Sequence, residues 1–492
     1  MTSIALIAWP VVALLLFARL PLREALVWSI LLAYLFLPET VSFNFPGIPA
    51  FDKWSIPACT LILAVLIYDK TPPGRGAASA AGQASRGQGV TLLFRVLMGC
   101  LLLSPVLTVL ANSDPVGVGG GRVLSGLRPW DIGNVIAENL ALLVPYFMAR
   151  RYLATPEAHR ILLRALLAAG LAYSLLVLVE VRLSPQLNRW VYGFYQHSFA
   201  QHVRGGSYRP MVFLQHGLWV GFFLLSVVLA SGGLYRHLRA KRDPKALRIL
   251  LSGLWMMGVL MISRNLGATG LAFLFAPVIL FLGGRWQIRL AALVALLFVL
   301  YPAVRQSGLV PTERITAITR AISEDRAQSF QFRLNNEDQL LERALERPVT
   351  GWGKWGRNRV YNEDGIDVSV TDGIWVIVLG TSGWFGYIAF FGLLALPVIL
   401  LPGRLKGQPV PFETAALAIV MAANFLYMVP NSTLTPLGWM MAGALAGFVQ
   451  FERARQEDPE TEAAAPPDGR RRLRHTRFGD GARPPLTARR GT

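Results

Sequence analysis

Residues 204–230 read RGGSYRPMVFLQHGLWVGFFLLSVVLA, and this stretch decides what kind of fold the chain can have. From Met211 onwards the sequence is apolar over about 20 residues, which is long enough to cross a bilayer as an α-helix. Arg204 and Arg209 stand directly before that run, beside glycines and a proline. Arginines at this place either mark membrane topology or bind an anion, and the side of the membrane that they face distinguishes the two.

The composition is that of a polytopic membrane protein. Hydrophobic residues make up 53% of the 492 residues and charged residues only 16%, whereas soluble domains contain about 25% charged residues. Cys59 and Cys100 lie inside apolar stretches and indicate neither a disulfide framework nor a zinc site. We therefore expect an all-α membrane protein with about 12–13 transmembrane helices and one large, partly helical periplasmic loop.

Apolar runs of spanning length recur along the whole chain. They lie near residues 3–18, 24–39, 55–69, 90–111, 133–150, 159–181, 210–232, 247–263, 267–283, 287–303, 373–402, 413–430 and 434–451. The run at 373–402 is long enough to tilt or to break. Because no internal repeat accompanies these runs, a transporter built from inverted repeats has little support in the sequence.

The same pattern predicts six parts of the chain. They are N-terminal transmembrane helices at 1–70, a flexible cytoplasmic linker at 71–89, a transmembrane core at 90–303, a large periplasmic loop at 304–372, C-terminal transmembrane helices at 373–451 and a disordered basic cytoplasmic tail at 452–492. The linker is rich in Gly, Ala and Ser, a composition typical of flexible chain. The tail contains an arginine run that suits anionic lipid better than nucleic acid, and we expect no nucleic-acid partner.

Basic loops predict the orientation of the helices. The segments RLPLRE, ARRYLATPEAHR, YRHLRAKRDPKALR, GGRWQIR and PGRLKG fall on alternate connections, and the positive-inside rule places them in the cytoplasm. The connections that carry Arg204, Arg209 and Arg264 then lie outside, where arginines in short loops are uncommon. Each of these arginines could be an interfacial side chain, but together they indicate a binding surface for an anion.

The long outer connection contains a predicted amphipathic helix. In SFQFRLNNEDQLLERALERP (329–348), Leu334, Leu341 and Leu345 form an apolar stripe that Pro348 ends, and Arg333 borders that stripe. The GWGKWG that follows (351–356) formally matches a dinucleotide-binding motif, but no strand precedes it, so we expect a turn. The acidic turn YNEDGID (361–367) could hold a divalent metal, although a solvated turn explains it more simply, and no metal site is predicted.

Asp372 stands at the outer start of the next apolar run, DGIWVIVLGTSGWFG (372–386). An acidic residue there can cap the helix, because it meets the positive end of the helix dipole. It can equally be a reactive carboxylate at the mouth of the membrane, close to whatever the arginines bind. The sequence alone leaves both interpretations open.

Four segments in this order resemble the O-antigen polymerase and O-antigen ligase superfamily of integral-membrane glycosyltransferases. RGGSYRPMVFLQHG is similar to the arginine-containing turn of that family, and SRNLGATGLAF (263–273) to its Ser-Arg-Gly-Ala hairpin. SFQFRLNNEDQLLERALERPVTGWGKWG resembles its Ser…Arg…Arg-Pro…Gly-x-Gly segment. DGIWVIVLGTSGWFG resembles its His-Asn-x-Tyr…Gly-x-x-Gly helix start, with Gly383 and Gly386 in the glycine positions. The resemblance covers roughly residues 200 to 390.

The resemblance implies a GT-C-like fold and a metal-independent, inverting glycosyl transfer without a cofactor. It implies that Arg204, Arg209, Arg264 and Arg333 bind the diphosphate of an undecaprenyl-diphosphate-linked oligosaccharide donor, and that Asp372 is catalytic. Asp372 and Gly373 stand where ligases of the family carry His and Asn, and this departure favours a polymerase.

From this resemblance we expect a polymerase of O-antigen or exopolysaccharide repeat units in the bacterial inner membrane, with its active site facing the periplasm. The expected partners are the lipid-linked donor, a glycan or lipid A core acceptor, the bilayer, and a flippase and a chain-length regulator. An O-antigen ligase that transfers the glycan to lipid A core would fit the same residues. So would two proteins of a different class, a transporter or flippase for lipid-linked polysaccharide and a structural subunit of an export complex.

Overall fold

The computed structural model describes residues 1–45, 48–69, 84–204, 206–308, 316–317, 320–321 and 324–456. Every predicted apolar run corresponds to a helix. In chain order the helices of six or more residues are α1 (Thr2–Arg19), α2 (Leu22–Phe36), α3 (Ser55–Tyr68), α4 (Ala84–Leu110), α5 (Pro129–Tyr152), α6 (Pro156–Leu183), α7 (Leu187–Tyr192), α8 (Gly217–Ala240), α9 (Lys245–Ile262), α10 (Leu266–Phe281), α11 (Gly284–Gln306), α12 (Glu324–Leu345), α13 (Ile374–Arg404), α14 (Phe412–Met428) and α15 (Pro436–Gln456).

Strands are confined to three short antiparallel hairpins in the described part of the chain. They are β1 (Ser42–Phe45) with β2 (Ile48–Asp52), β3 (Val116–Gly117) with β4 (Val123–Leu124), and β5 (Val203–Arg204) with β6 (Ser207–Tyr208). In the third hairpin Arg204 pairs with Ser207 and Val203 with Tyr208. All three hairpins lie in connections between helices.

The helices identify the chain as a multi-pass membrane protein. Among the described residues, eight helices are long and apolar enough to cross a bilayer, and four shorter apolar helices of 10–17 residues accompany them. A helix satisfies its own backbone hydrogen bonds, which a lipid environment requires. The prediction of an all-α polytopic membrane protein is therefore confirmed. The number of 12–13 spans stays a prediction, beside eight described helices of spanning length.

α8 is the central helix of the bundle, and it begins later than the sequence predicts. Residues 211–216 are turn rather than helix, and the helix starts at Gly217. Val212 has a φ of 54°, and the buried Glu180 carboxylate accepts the backbone N–H groups of Met211 and Val212 at 2.8 and 2.7 Å. His216 then caps the helix, because its Nδ1 accepts the N–H of Leu218 at 3.0 Å.

The predicted amphipathic helix is confirmed as α12. Leu334, Leu341 and Ala344 are buried on one face, and the helix ends three residues before Pro348. Residues 84–89, which we assigned to the linker, form the first turns of α4. The predicted flexibility of 71–83 and the predicted disorder of 457–492 lie outside the described residues.

α13 is broken in the middle, as its length allowed. Gly383 has φ 61° and ψ −172°, a conformation that no helical residue adopts. At the break, residues 348–353 lie alongside the helix and make backbone hydrogen bonds with it. Trp352 and Gly353 donate to the carbonyls of Gly380 and Thr381 at 2.8 and 2.9 Å, and Trp384 donates to the carbonyl of Pro348 at 2.7 Å.

Two glycines make this close approach of backbones possible. A Cβ on Gly351 would lie 2.5 Å from the backbone N of Ser382, and a Cβ on Gly383 would lie 2.3 Å from the backbone of Val349. Gly351 also has a φ of 68°, which favours glycine. The GWGKWG sequence is therefore a turn built to fill a helix break, which agrees with its predicted role as a turn.

Candidate functional site

The carboxylate of Asp372 meets an arginine from the amphipathic helix α12. Arg333 Nε on α12 lies 3.4 Å from Asp372 Oδ2, and both side chains are about one-third exposed. Two features hold this pair in place. The Asn336 side chain accepts the N–H of Val370 at 2.8 Å, which fixes the segment before Asp372 against α12, and Gly373 lets the chain pass close to the carbonyl of Val429.

Burial raises the pKa of Asp372, and the charge of Arg333 only partly opposes that rise. We expected arginines near this position to favour the ionised form. In the structure the neutral form of Asp372 is favoured instead, because the packed helix ends around the carboxyl group remove it from water. A raised pKa makes Asp372 a better proton acceptor than an exposed aspartate would be.

A second carboxylate, Glu337, lies beside this pair and was not predicted. It stands one helical turn after Arg333 and is only 6% exposed. Burial raises its pKa to about 7, Arg305 and Trp375 oppose the rise, and the neighbouring charges of Asp338 and Asp372 add to it. A carboxyl group that titrates near neutral pH is well matched to general acid or base catalysis.

Arg305 completes this side of the site. It comes from the last turn of α11 and forms a 2.6 Å salt bridge with Asp338 on α12. Its charge therefore acts on Glu337 while its own geometry is fixed by Asp338. Glu337 could have been noticed in the sequence, because it lies between Leu334 and Leu341 on the apolar face of the amphipathic helix, where a solvated glutamate has no place.

Arg209 approaches from the opposite side of the same region. Its side chain passes over the first residue of α8, where a Cβ on Gly217 would lie 2.4 Å from Arg209 Cδ. Tyr427, near the end of α14, is within electrostatic range of both Arg209 and Arg333. The Tyr427 hydroxyl donates to the carbonyl of Leu218 at 3.0 Å, so it lies against the start of α8.

Arg264 occupies the turn between α9 and α10 and has a φ of 59°, a conformation uncommon for residues other than glycine. Its side chain is exposed, and within the described part of the chain it has no assigned hydrogen bond or ion pair. The next residue, Asn265, is buried and lies close to Tyr427 at Gly221, where a Cβ would be 3.0 Å from Asn265 Cγ and 2.7 Å from the Tyr427 hydroxyl. The turn that carries Arg264 thus borders the region of Arg209 and Arg333.

For Arg204 only the position of the backbone is described. It is the second residue of β5, at the tip of the third hairpin. The position of its side chain lies outside the described part of the structure, so its predicted contact with diphosphate stays a prediction. The remaining predicted site residues lie at one end of the helical bundle, on the connections between α7 and α8, α9 and α10, and α11 and α13.

A cavity lies next to Thr371, the residue before Asp372. It has a volume of about 370 Å³ and reaches from Thr371 to the break in α13, between α4, α5 and α13. Its deeper wall is mainly apolar, and Lys354 and Arg359 stand at its rim. The deeper wall consists of the apolar residues Leu101, Pro105, Leu142, Ile377, Val378 and Phe390 and of the serines Ser104 and Ser382.

The rim cations are already engaged within the protein. Arg359 forms a 2.8 Å salt bridge with Asp367, and Lys354 pairs with Glu138. The Asp367 carboxylate also accepts the Ser369 hydroxyl at 2.8 Å. Asp367 of the acidic turn at 361–367 is therefore tied to an arginine.

These groups can bind an anion at Arg209 or Arg333 and can move a proton at Asp372 or Glu337. They stand where a spanning helix begins, so they can act on a molecule that is anchored in the bilayer. A scan against protein-family models finds no match to this chain, and neither does a search of the curated proteins.

Proposed function

We propose that the protein is a membrane glycosyltransferase that polymerises oligosaccharide units carried on undecaprenyl diphosphate, working at the periplasmic face of the bacterial inner membrane. The observation that carries this proposal is the contact between Arg333 and Asp372, at the end of the bundle where Arg209 lies beside the start of α8. An arginine pair beside a partly desolvated carboxylate provides the two functions that such a transfer needs.

The first function is to stabilise the leaving group. When an acceptor hydroxyl attacks the anomeric carbon, the diphosphate departs and gains negative charge. Preorganised cations in a site that excludes water stabilise such charge effectively. Arginine suits this task because its planar guanidinium binds two phosphate oxygens at once and stays protonated.

The second function is to accept the proton of the attacking hydroxyl. Asp372 is the residue that the family resemblance implies, and its raised pKa supports that role. Glu337 is an additional candidate, because it titrates near neutral pH and lies within electrostatic reach of Asp372. In this proposal one carboxylate takes the proton, and the other orients the hydroxyl.

The cavity beside the Asp372 turn supports a lipid-linked substrate. Its apolar depth, bounded by Leu101, Ile377 and Phe390, suits a polyprenyl chain, and its rim lies next to Thr371 and thus next to Asp372. A donor held there would have its chain among the helices and its diphosphate near the arginines. This arrangement suits an enzyme that draws its substrate from the bilayer.

The experiment that tests the proposal uses purified full-length protein in nanodiscs with a defined lipid-linked oligosaccharide. A ladder of products that differ by one repeat unit supports a polymerase. A single transfer to added lipid A core, without a ladder, identifies a ligase instead. No new glycosidic bond, together with movement of the lipid-linked oligosaccharide across sealed vesicles, would replace the proposal by a flippase or transporter.

A further inference from the structure

Three histidines cluster beside the start of α8. His197, His202 and His216 each offer one nitrogen, and these nitrogens all lie within 4.8 Å of one another. The ring centroids of His197 and His202 are both 4.6 Å from that of His216. Among the described residues this is the group of His, Cys, Asp and Glu side chains whose spacing could surround a metal ion.

The surrounding chain holds the cluster together without any ion. Gln196 is buried, and its side-chain amide donates to the carbonyls of Val212 and Leu214, both at 3.0 Å. This clamps the turn that carries His197 onto the segment that leads to His216. The carbonyl of His202 accepts the N–H of Arg209 at 2.8 Å, which ties the second histidine to the same segment. The three rings are thus preorganised by the fold.

The tautomer of His202 suits a metal ligand. Its Nδ1 lies 2.9 Å from the carbonyl of Ser198, and a carbonyl can only accept, so Nδ1 carries the proton. A carbonyl that accepts a hydrogen bond from the other ring N–H is a usual partner of a metal-binding histidine. The lone pair is then on Nε2, which accepts the N–H of Gly217 at 3.2 Å.

His197 gives the observation that points to a missing ligand. Its Nδ1 is buried from solvent and has no hydrogen-bond partner within the described part of the structure. A buried nitrogen without a partner costs free energy that a folded protein normally avoids. A metal ion at the centre of the cluster would satisfy it.

We propose that His197, His202 and His216 bind a divalent transition-metal ion of the zinc class. Imidazole nitrogens suit zinc, and three histidines with an open fourth position form a known type of zinc site. Zinc–nitrogen bonds of about 2.1 Å place the nitrogens about 3.4 Å apart, so the rings move inward by about 1 Å. Binding at His202 Nε2 exchanges the hydrogen bond from the N–H of Gly217 for a bond to the metal.

The ion would act on the loop and takes no part in glycosyl transfer. The chain between His202 and His216 carries Arg204 and Arg209, so an ion that joins these two histidines closes that loop at its base. It also fastens the loop to the first turn of α8. The proposal stands on the histidine geometry alone and does not depend on the proposed function.

The test is metal binding by the full-length protein, purified with a histidine-free tag and stripped of metal with a chelator. We expect one Co²⁺ per chain with the visible absorption of a four-coordinate site, displacement of Co²⁺ by Zn²⁺, and a rise in melting temperature on adding Zn²⁺. Failure of the wild-type protein to bind Co²⁺ or Zn²⁺ stoichiometrically would overturn the proposal.

Two variants separate metal binding from folding. His197→Ala removes a nitrogen that has no partner, and His216→Asn keeps an acceptor suited to capping α8, so both should fold. Each should weaken Zn²⁺ affinity at least about tenfold and lose the Zn²⁺-dependent rise in melting temperature. His475→Ala, which alters a histidine of the C-terminal tail, is the matched control and should bind like wild type. Equal binding by His197→Ala, or loss of binding in His475→Ala, would refute the site.

Discussion

The guanidinium of Arg333 and the carboxylate of Asp372 meet where the amphipathic helix α12 reaches the start of α13, with 3.4 Å between Nε and Oδ2. Neither side chain is a simple surface group, since burial raises the pKa of Asp372 in spite of the adjacent positive charge. The pair links the amphipathic helix to a membrane span, and substitutions on either side of it test the proposed chemistry.

Asp372→Asn tests whether the carboxylate transfers a proton. The amide keeps the size and much of the hydrogen bonding of the carboxylate but removes its basicity. We expect glycosyl transfer to fall by roughly 10²-fold or more, the usual scale for loss of a general base, with donor binding little changed. Asp372→His should retain part of the activity. Normal turnover by Asp372→Asn would reduce the residue to a helix cap.

Glu337→Gln tests the carboxyl group whose pKa burial raises to about 7. An unfolded glutamate releases its proton near pH 4.3, so the folded protein loses stability as pH rises from about 4.3 to 7 and regains none above that range. The amide avoids this loss, which is at most about 4 kcal/mol. The variant should therefore melt above wild type at pH 8 and together with it near pH 4.5.

The matched control for that measurement is Glu342→Gln, an exposed residue on the same helix. It should follow wild type at every pH. A constant difference between Glu337→Gln and wild type over the whole range would show that Glu337 does not titrate there. If Glu337 is also the base, activity of wild type should rise with pH through about 7, and the variant should lose that rise.

Arg264→Lys tests the left-handed turn between α9 and α10. Lysine keeps the charge but loses the planar, two-pronged contact with phosphate oxygens, so activity should fall sharply while expression stays normal. Arg248→Ala, at the opposite end of α9, is the control and should leave activity unchanged. Full activity in Arg264→Ala would mean that this arginine only marks topology.

Gly351→Ala tests the packing of residues 348–353 against the break in α13. Its φ of 68° and the 2.5 Å approach of a Cβ to the Ser382 backbone both oppose any side chain. The strained conformation alone costs about 1–3 kcal/mol, so the melting temperature in detergent should drop. Gly99→Ala, in α4 with no atom within 4 Å of the added Cβ, should melt at or above wild type.

Single cysteines test which side of the membrane the site faces. In a background without Cys59 and Cys100, Ser207→Cys and Asn362→Cys should react with an impermeant thiol reagent in whole cells whose outer membrane has been permeabilised. Asp243→Cys, at the turn between α8 and α9, should react only after the inner membrane is lysed. The reverse pattern would invert the proposed topology.

Much of the architecture was predictable because membrane spans and amphipathic stripes are local signals. The apolar runs predicted the helices, and Leu334, Leu341 and Pro348 predicted the position and end of α12. Helix bounds differ where a polar group overrides the pattern: the run from Met211 looks helical, but Glu180 holds its first residues in a turn. Glu180 lies far from this run in the sequence, and no residue of the run indicates the contact.

The candidate site was predictable in part. Arg333 and Asp372 could be singled out because charged residues at helix ends are conspicuous, and their contact follows from the order of the segments. The role of Glu337 depends on burial against Arg305 and Trp375, which come from two other helices. The histidine cluster depends on the clamp that Gln196 provides, so spacing along the chain does not reveal it.

The break in α13 has a consequence for how the protein assembles. Residues 348–353, which complete the backbone hydrogen bonds at Gly383, precede α13 in the chain and are already synthesised when that helix enters the bilayer. A helix with an open break in lipid is unstable, so insertion of α13 and docking of this loop form one event. Docking of residues 348–353 is therefore part of the means by which α13 reaches its place in the membrane.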